Sequence, residues 1–172
     1  MSSPTYTVHP TPVGSALIVM TDAGLASLQL LDGPDDDALV EIGLALRAVP
    51  VPDDGPAAGV AAQLDEYFAG DRRDFDVAID WWFAEGFTKR ALQAVQEIPY
   101  GETASYGEIA VHAGSPGAHR AVGSACARTA ISLVLPAHRV VRSDGSIGEY
   151  GGHPETKRFL LDLEDRVAAS GR

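Results

Sequence analysis

Leu133-Val134-Leu135-Pro136-Ala137-His138-Arg139-Val140-Val141 is the stretch on which the reading of this chain turns. An apolar run that breaks at a proline and then delivers Ala-His-Arg reads as a buried strand ending in a polar pair.

Upstream of this stretch the pattern is helical. Phe87 to Ile98, Ser105 to Ala113 and Ala118 to about Arg128 are expected as helices, with Pro99-Tyr100-Gly101 a turn between the first two. Ser105 and Glu108 have the spacing of a capping box. Ser115 is a candidate N-cap, with Pro116 in the first turn, where its missing N–H is no loss. Two short helices joined by Gly114-Ser115-Pro116-Gly117 have the form of a helix-turn-helix.

The first half differs. Tyr6 to Leu31 alternates short β-type runs with turns and reads as a hairpin or meander. Asp35 to Val49 reads as a helix stopped by a proline-rich loop, Ala57 to Phe68 as a second helix, and Asp74 to Asp80 as a half-exposed strand. The expected fold class is α/β. A small N-terminal α/β domain, an antiparallel sheet plus helices over residues 1–84, precedes a mainly helical, winged-helix-like domain with a helix-turn-helix over 87–167. Residues 168–172 are expected as a disordered tail.

A length of 172 residues with 45% hydrophobic content suffices for one domain or two small ones with a real core. No apolar run reaches the roughly 18 residues that span a bilayer, and Met1-Ser2-Ser3-Pro4 lacks a signal pattern. A cytoplasmic monomer is expected, nucleoid-associated if bacterial, without membrane contact. The one cysteine, Cys126, excludes an intrachain disulfide framework, and no metal site or cofactor is expected.

The net charge of −11 argues against a nucleic-acid partner until its distribution is considered. Residues 1–87 hold 15 acids and 3 bases, whereas residues 88–142 hold 3 acids and 6 bases. Such a protein can present one cationic face to a phosphate backbone. With few basic residues, a modest salt dependence of DNA binding is expected.

Five motifs occur in order: Ile98-Pro99-Tyr100-Gly101-Glu102-Thr103, Ser105-Tyr106-Gly107-Glu108-Ile109-Ala110, Arg120-Ala121-Val122-Gly123, Pro136-Ala137-His138-Arg139-Val140 and Gly148-Glu149-Tyr150-Gly151-Gly152. Together they resemble the DNA-binding domain of the O6-alkylguanine-DNA alkyltransferases. Thr11-Pro12-Val13-Gly14 and Leu64-Asp65-Glu66-Tyr67-Phe68-Ala69-Gly70 extend the resemblance to the N-terminal domain. In that family a cysteine within Pro-Cys-His-Arg-Val takes the alkyl group from the damaged base. Here the matching residue is Ala137, which has no nucleophile.

The resemblance implies minor-groove docking of the helix near Ala118, with Ala121, Gly123 and Ser124 allowing close approach and Arg120 filling the gap left by a rotated nucleotide. It implies that Tyr106 crowds the 3′ phosphate, and that Tyr106, Ala137, Tyr150 and Gly151 line the lesion pocket. His138, which in the family works through a water, and Glu164, which orients it, form with Ala137 a degenerate active site without catalytic residues. Arg139 ties the site together, and Thr129 stands with Ala130 where the family has a bracing Asn-Pro pair. Cys126 reads as a small buried hydrophobe rather than a replacement nucleophile.

Thr129-Ala130, and Ala91-Leu92 in place of Val-Trp, suggest natural loss of the transfer reaction. The expected function is therefore non-enzymatic recognition of O6-alkylguanine in double-stranded DNA by nucleotide flipping, flagging the lesion to nucleotide excision repair proteins. Two alternatives stay open: an engineered Cys-to-Ala form of a genuine alkyltransferase, and a helix-turn-helix DNA-binding regulator. A small Ala137 also leaves a wider pocket, with room for bulky O6-alkyl groups.

Overall fold

The computed structural model describes residues 1–33, 36–148, 150–151 and 153–171. Asp35, expected to open a helix, Glu149 and Gly152 of the last motif, and Arg172 of the tail lie outside the described residues. The chain divides into two compact units: residues 1–82 with 130–132, and residues 83–129 with 133–172.

In the first unit, β1 (Thr5–Thr11), β2 (Gly14–Thr21) and β3 (Gly24–Leu31) form the expected antiparallel meander. After α1 (Asp36–Leu46), β4 (Val51–Pro52) adds a short parallel strand beside β1, giving the order β3-β2-β1-β4. Leu17, Val19 and Ala26 of the sheet pack with Ala38 and Ile42 of α1. The α1 helix ends before the proline loop, where Arg47 takes a left-handed φ of 54° and the Ala48 N–H donates to the Gly43 carbonyl. α2 (Ala58–Phe68) follows, burying Val60, Leu64 and Tyr67.

The strand expected over Asp74–Asp80 is not formed. Only Ile79 bridges, in parallel, to Leu25 of β3. Alternating acids suit a solvated edge, but a ladder needs a partner along its length, and β3 offers one here at a single point. The same edge receives residues 130–132, where Leu28 donates to the Ala130 carbonyl at 2.9 Å and accepts from Ser132 at 2.8 Å.

The second unit holds α3 (Gly86–Gln96), β5 (Ala104–Ser105), α4 (Tyr106–His112), α5 (His119–Ala127), β6 (Val140–Val141) and α6 (Pro154–Ala169). α3 buries Ala91, Leu92 and Val95 between its neighbours. Ser105 is the N-cap of α4, its hydroxyl accepting the Glu108 N–H at 3.1 Å. Ser115 caps nothing: α5 begins at His119 behind Ala118, and the Ser115 carbonyl instead accepts the Ala118 N–H in a turn. The apolar run before Pro136 is buried as expected but is not a strand. Leu133 sits at φ 67°, which breaks the extended path, and Pro136 has no N–H to give a ladder. α6 extends through Ala169 and so takes in the first two residues of the expected tail.

Candidate active site

Ala137–Arg139 form one 3-10 turn between Pro136 and β6. All three residues are buried, so the polar side chains must be satisfied within the unit. Glu164 of α6 does this. Its carboxylate accepts from His138 Nε2 at 2.7 Å, from Arg139 Nε at 2.8 Å and from Arg139 Nη2 at 3.1 Å. The third donor of Arg139, Nη1, reaches the Ile98 carbonyl at 2.8 Å, and the guanidinium lies 5.5 Å from the Tyr100 ring centre. The Ile-Pro-Tyr motif thus seats the arginine. Exposures of 0% for His138, 5% for Arg139 and 1% for Glu164 make this a desolvated network.

Electrostatics set the protonation states. Burial alone would push the Glu164 carboxyl up, but the hydrogen bonds and positive charge of its two partners outweigh it and hold the group down at about 2. Burial lowers His138, against the pull of Glu164, so the imidazole is neutral near pH 7. A neutral imidazole against an ionised carboxylate has its proton on Nε2, the nitrogen facing the acceptor. Nδ1 is left as a lone-pair acceptor, buried and without a hydrogen-bond partner among the described residues.

The remaining anticipated residues occupy two neighbourhoods. The Tyr150 ring stands edge-on to His138 with centroids 6.5 Å apart. Gly151 follows it, exposed, at φ 56°. Tyr106, at the start of α4, touches two glycines: a side chain begun at Gly123 would come within 3.9 Å of its ring, and one begun at Gly148 within 3.5 Å of its hydroxyl. Arg120, Ala121 and Ser124 share the exposed face of α5, while Gly123, a helical step round, turns toward Tyr106. Thr129 follows Arg128, the residue that closes α5.

Cys126 is half-buried, and burial raises its thiol to about 11, so it is protonated and unreactive at neutral pH. Among the described residues no cluster of three or more His, Cys, Asp and Glu is placed to hold a metal, and no helix is long and apolar enough to cross a membrane.

The sequence reading missed Lys157. It is fully buried on α6 and donates to the Val140 carbonyl at 2.6 Å, just past the 137–139 turn, with its ammonium lowered to about 8, chiefly by burial. Helical spacing carried the signal: positions 157, 160, 161 and 164 fall on one face, and Leu160 and Leu161 mark it as the core.

Comparison with known proteins accounts for both halves. The model of the ribonuclease-like domain of 6-O-methylguanine DNA methyltransferase matches residues 5–81, and that of the DNA binding domain matches residues 86–166. The methylated-DNA–protein-cysteine methyltransferase of Mycobacterium leprae is 39% identical over 153 residues, covering 89% of this chain and 87% of that protein. That of Methanosarcina acetivorans is 36% identical, with 92% and 97% covered. The crystal structure of Mycobacterium tuberculosis OGT in complex with DNA superposes with a TM-score of 0.81 at 37% identity, covering 95% of this chain and 94% of that one.

These relatives overturn the expectation of a non-enzymatic protein, since proteins matched over nearly the whole chain are named as methyltransferases. Of the substitutions that suggested otherwise, Ala91, Leu92 and Ala130 are buried and Thr129 is half-buried. Leu92 is fully buried in α3, and the Ala130 carbonyl accepts both the Leu28 N–H and, at 3.1 Å, the Ser27 hydroxyl. With matches to both domain models and homology across about nine-tenths of its length, this chain belongs to the 6-O-methylguanine DNA methyltransferase family.

Proposed function

We propose that this chain is an O6-alkylguanine-DNA alkyltransferase whose acceptor position is filled by Ala137, so that lesion binding is retained and transfer requires a thiol at that position. The observation that carries the reading is the placement of His138: its Nε2 lies 2.7 Å from the Glu164 carboxylate, and its buried Nδ1, in the residue next to Ala137, has no hydrogen-bond partner among the described residues. A thiol at 137 would give its proton to Nδ1, directly or through water. The thiolate then forms an S–C bond as the C–O6 bond of the lesion breaks, and guanine leaves with the electron pair and takes up a proton. His138 and Arg139 together keep Glu164 ionised, so the carboxylate orients the imidazole and balances its transient positive charge.

In this reading the exposed face of α5 docks in the minor groove. Arg120 replaces the displaced nucleotide in the stack, and Tyr106, Tyr150 and Gly151 border the site that receives it. Titration of the chain as it stands with a duplex carrying one O6-methylguanine, and with the same duplex undamaged, tests the binding half. Preference for the lesion, lost in Arg120→Ala, is the expected result. Equal affinity for both duplexes would overturn it.

A further inference from the structure

We propose that Arg142 is a phosphate-binding residue for the lesion-bearing DNA strand, acting beside Tyr106; this rests on the reading that the chain binds O6-alkylguanine in DNA. Register places the two residues together. β5 and β6 run parallel, with Ala104 opposite Val140 and Ser105 opposite Val141, so Tyr106 and Arg142 each follow directly on a paired residue. Their side chains converge at Gly148, where an added methyl group would lie 3.5 Å from the Tyr106 hydroxyl and 3.7 Å from Arg142 Nε. Gly148 has φ 73° and no side chain, and so leaves this corner open.

The arginine is fixed at its backbone and exposed at its head. Its N–H donates to the Ser146 carbonyl at 3.0 Å and its carbonyl accepts the Gly145 N–H at 2.9 Å, which ties the backbone into a tight turn. The side chain is exposed, and its guanidinium makes no ion pair or hydrogen bond among the described residues. Asp144, a carboxylate within electrostatic reach, also accepts the N–H of Ser146 at 2.9 Å and its hydroxyl at 2.7 Å. The buried Lys157 adds a second positive charge within reach and offers no compensation.

An exposed guanidinium that makes no hydrogen bond or ion pair among the described residues, in a protein of net charge −11, fits an anion presented to it. Its location selects which anion. Tyr106 lies between Arg142 and α5, whose outer face carries Arg120, so a strand lying along α5 with one nucleotide turned out past Tyr106 would bring a phosphodiester to Arg142. The planar fork of arginine suits phosphate oxygens.

Anisotropy titrations over a salt series, with wild-type, Arg142→Ala and Arg142→Lys proteins on the O6-methylguanine duplex and its undamaged counterpart, test this. Arg142→Ala is expected to bind about tenfold more weakly. The slope of log affinity against log salt should fall by about 0.9, the loss of one phosphate contact, with Arg142→Lys close to wild type. Single methylphosphonates at the linkages flanking the lesion then locate the contact. At one of them wild type should drop to the level of Arg142→Ala, and Arg142→Ala should lose nothing more. An unchanged salt slope in Arg142→Ala, or additive losses at every linkage, would overturn the proposal. Failure of the functional reading has a separate signature, equal wild-type affinity for the two duplexes.

Discussion

Removing the Glu164 carboxylate tests the site's architecture through stability alone. Glu164→Ala would leave the Arg139 guanidinium buried at 5% exposure without its anion, and His138 Nε2 without its acceptor. Breaking a buried pair in this way costs about 3–5 kcal/mol. Titration leads to a similar figure: a carboxyl lowered from 4.5 to about 2 contributes about 3 kcal/mol at neutral pH. The sign follows from proton uptake. The unfolded carboxyl binds its proton first as pH falls, so this stability is present above about pH 4.5 and is lost on the way down toward pH 2. Thermal and urea unfolding followed by circular dichroism should show Glu164→Ala melting roughly 6–20 °C below wild type at pH 7. The gap between wild type and the isosteric Glu164→Gln should narrow as pH falls below 4.5. A Glu164→Ala loss under about 1 kcal/mol, or a gap independent of pH, would refute the claim that this carboxylate holds the turn.

Lys157 has the opposite pH signature. Its ammonium is lowered to about 8, so the unfolded chain binds more protons between about pH 8 and 10.5 and this group's contribution rises across that window; wild type should gain up to about 3 kcal/mol relative to Lys157→Met there, in urea unfolding at stepped pH. Gly101 has φ 79°, and a methyl group on it would lie 2.9 Å from the Ala168 side chain, so Gly101→Ala should cost about 2–4 kcal/mol, with Ala168→Gly recovering part of the loss in the double variant. In an Ala137→Cys background, single-turnover transfer should persist as pH drops through 6.5, because burial lowers His138 and keeps it a neutral base; a half-loss of rate at about pH 6.5 would indicate an ordinary imidazole.

The parts of the fold carried by local periodicity were legible. The meander of β1 to β3 follows from short apolar runs between turns, and Ser105 announced its helix because capping depends on a side chain reaching its own backbone. What escaped depends on distant partners. Asp74–Asp80 alternates like a strand, yet only Ile79 finds a bridge. Leu133 abandons the extended path for reasons no neighbouring residue displays.

The site divides the same way. His138, Arg139 and Glu164 were named through the family resemblance, whereas the Ile98 carbonyl reaches Arg139 only in the folded chain. Lys157 was within reach, since its face of α6 is marked by leucines, but a lysine is seldom read as core. The misjudgement about enzymatic class came from the missing thiol at Ala137 together with treating Thr129-Ala130 and Ala91-Leu92 as signs of lost chemistry. A well-packed core tolerates such exchanges while the polar network beside it stays whole.

The most direct test of the account is to place a thiol at the end of that network. Ala137→Cys, incubated with a duplex bearing one labelled O6-methylguanine, should become methylated on the introduced sulfur, at most one methyl per protein molecule, with Cys126 unmodified; Glu164→Gln in the same background should slow the transfer. A folded Ala137→Cys protein that binds the lesion duplex yet takes up no methyl group would contradict it.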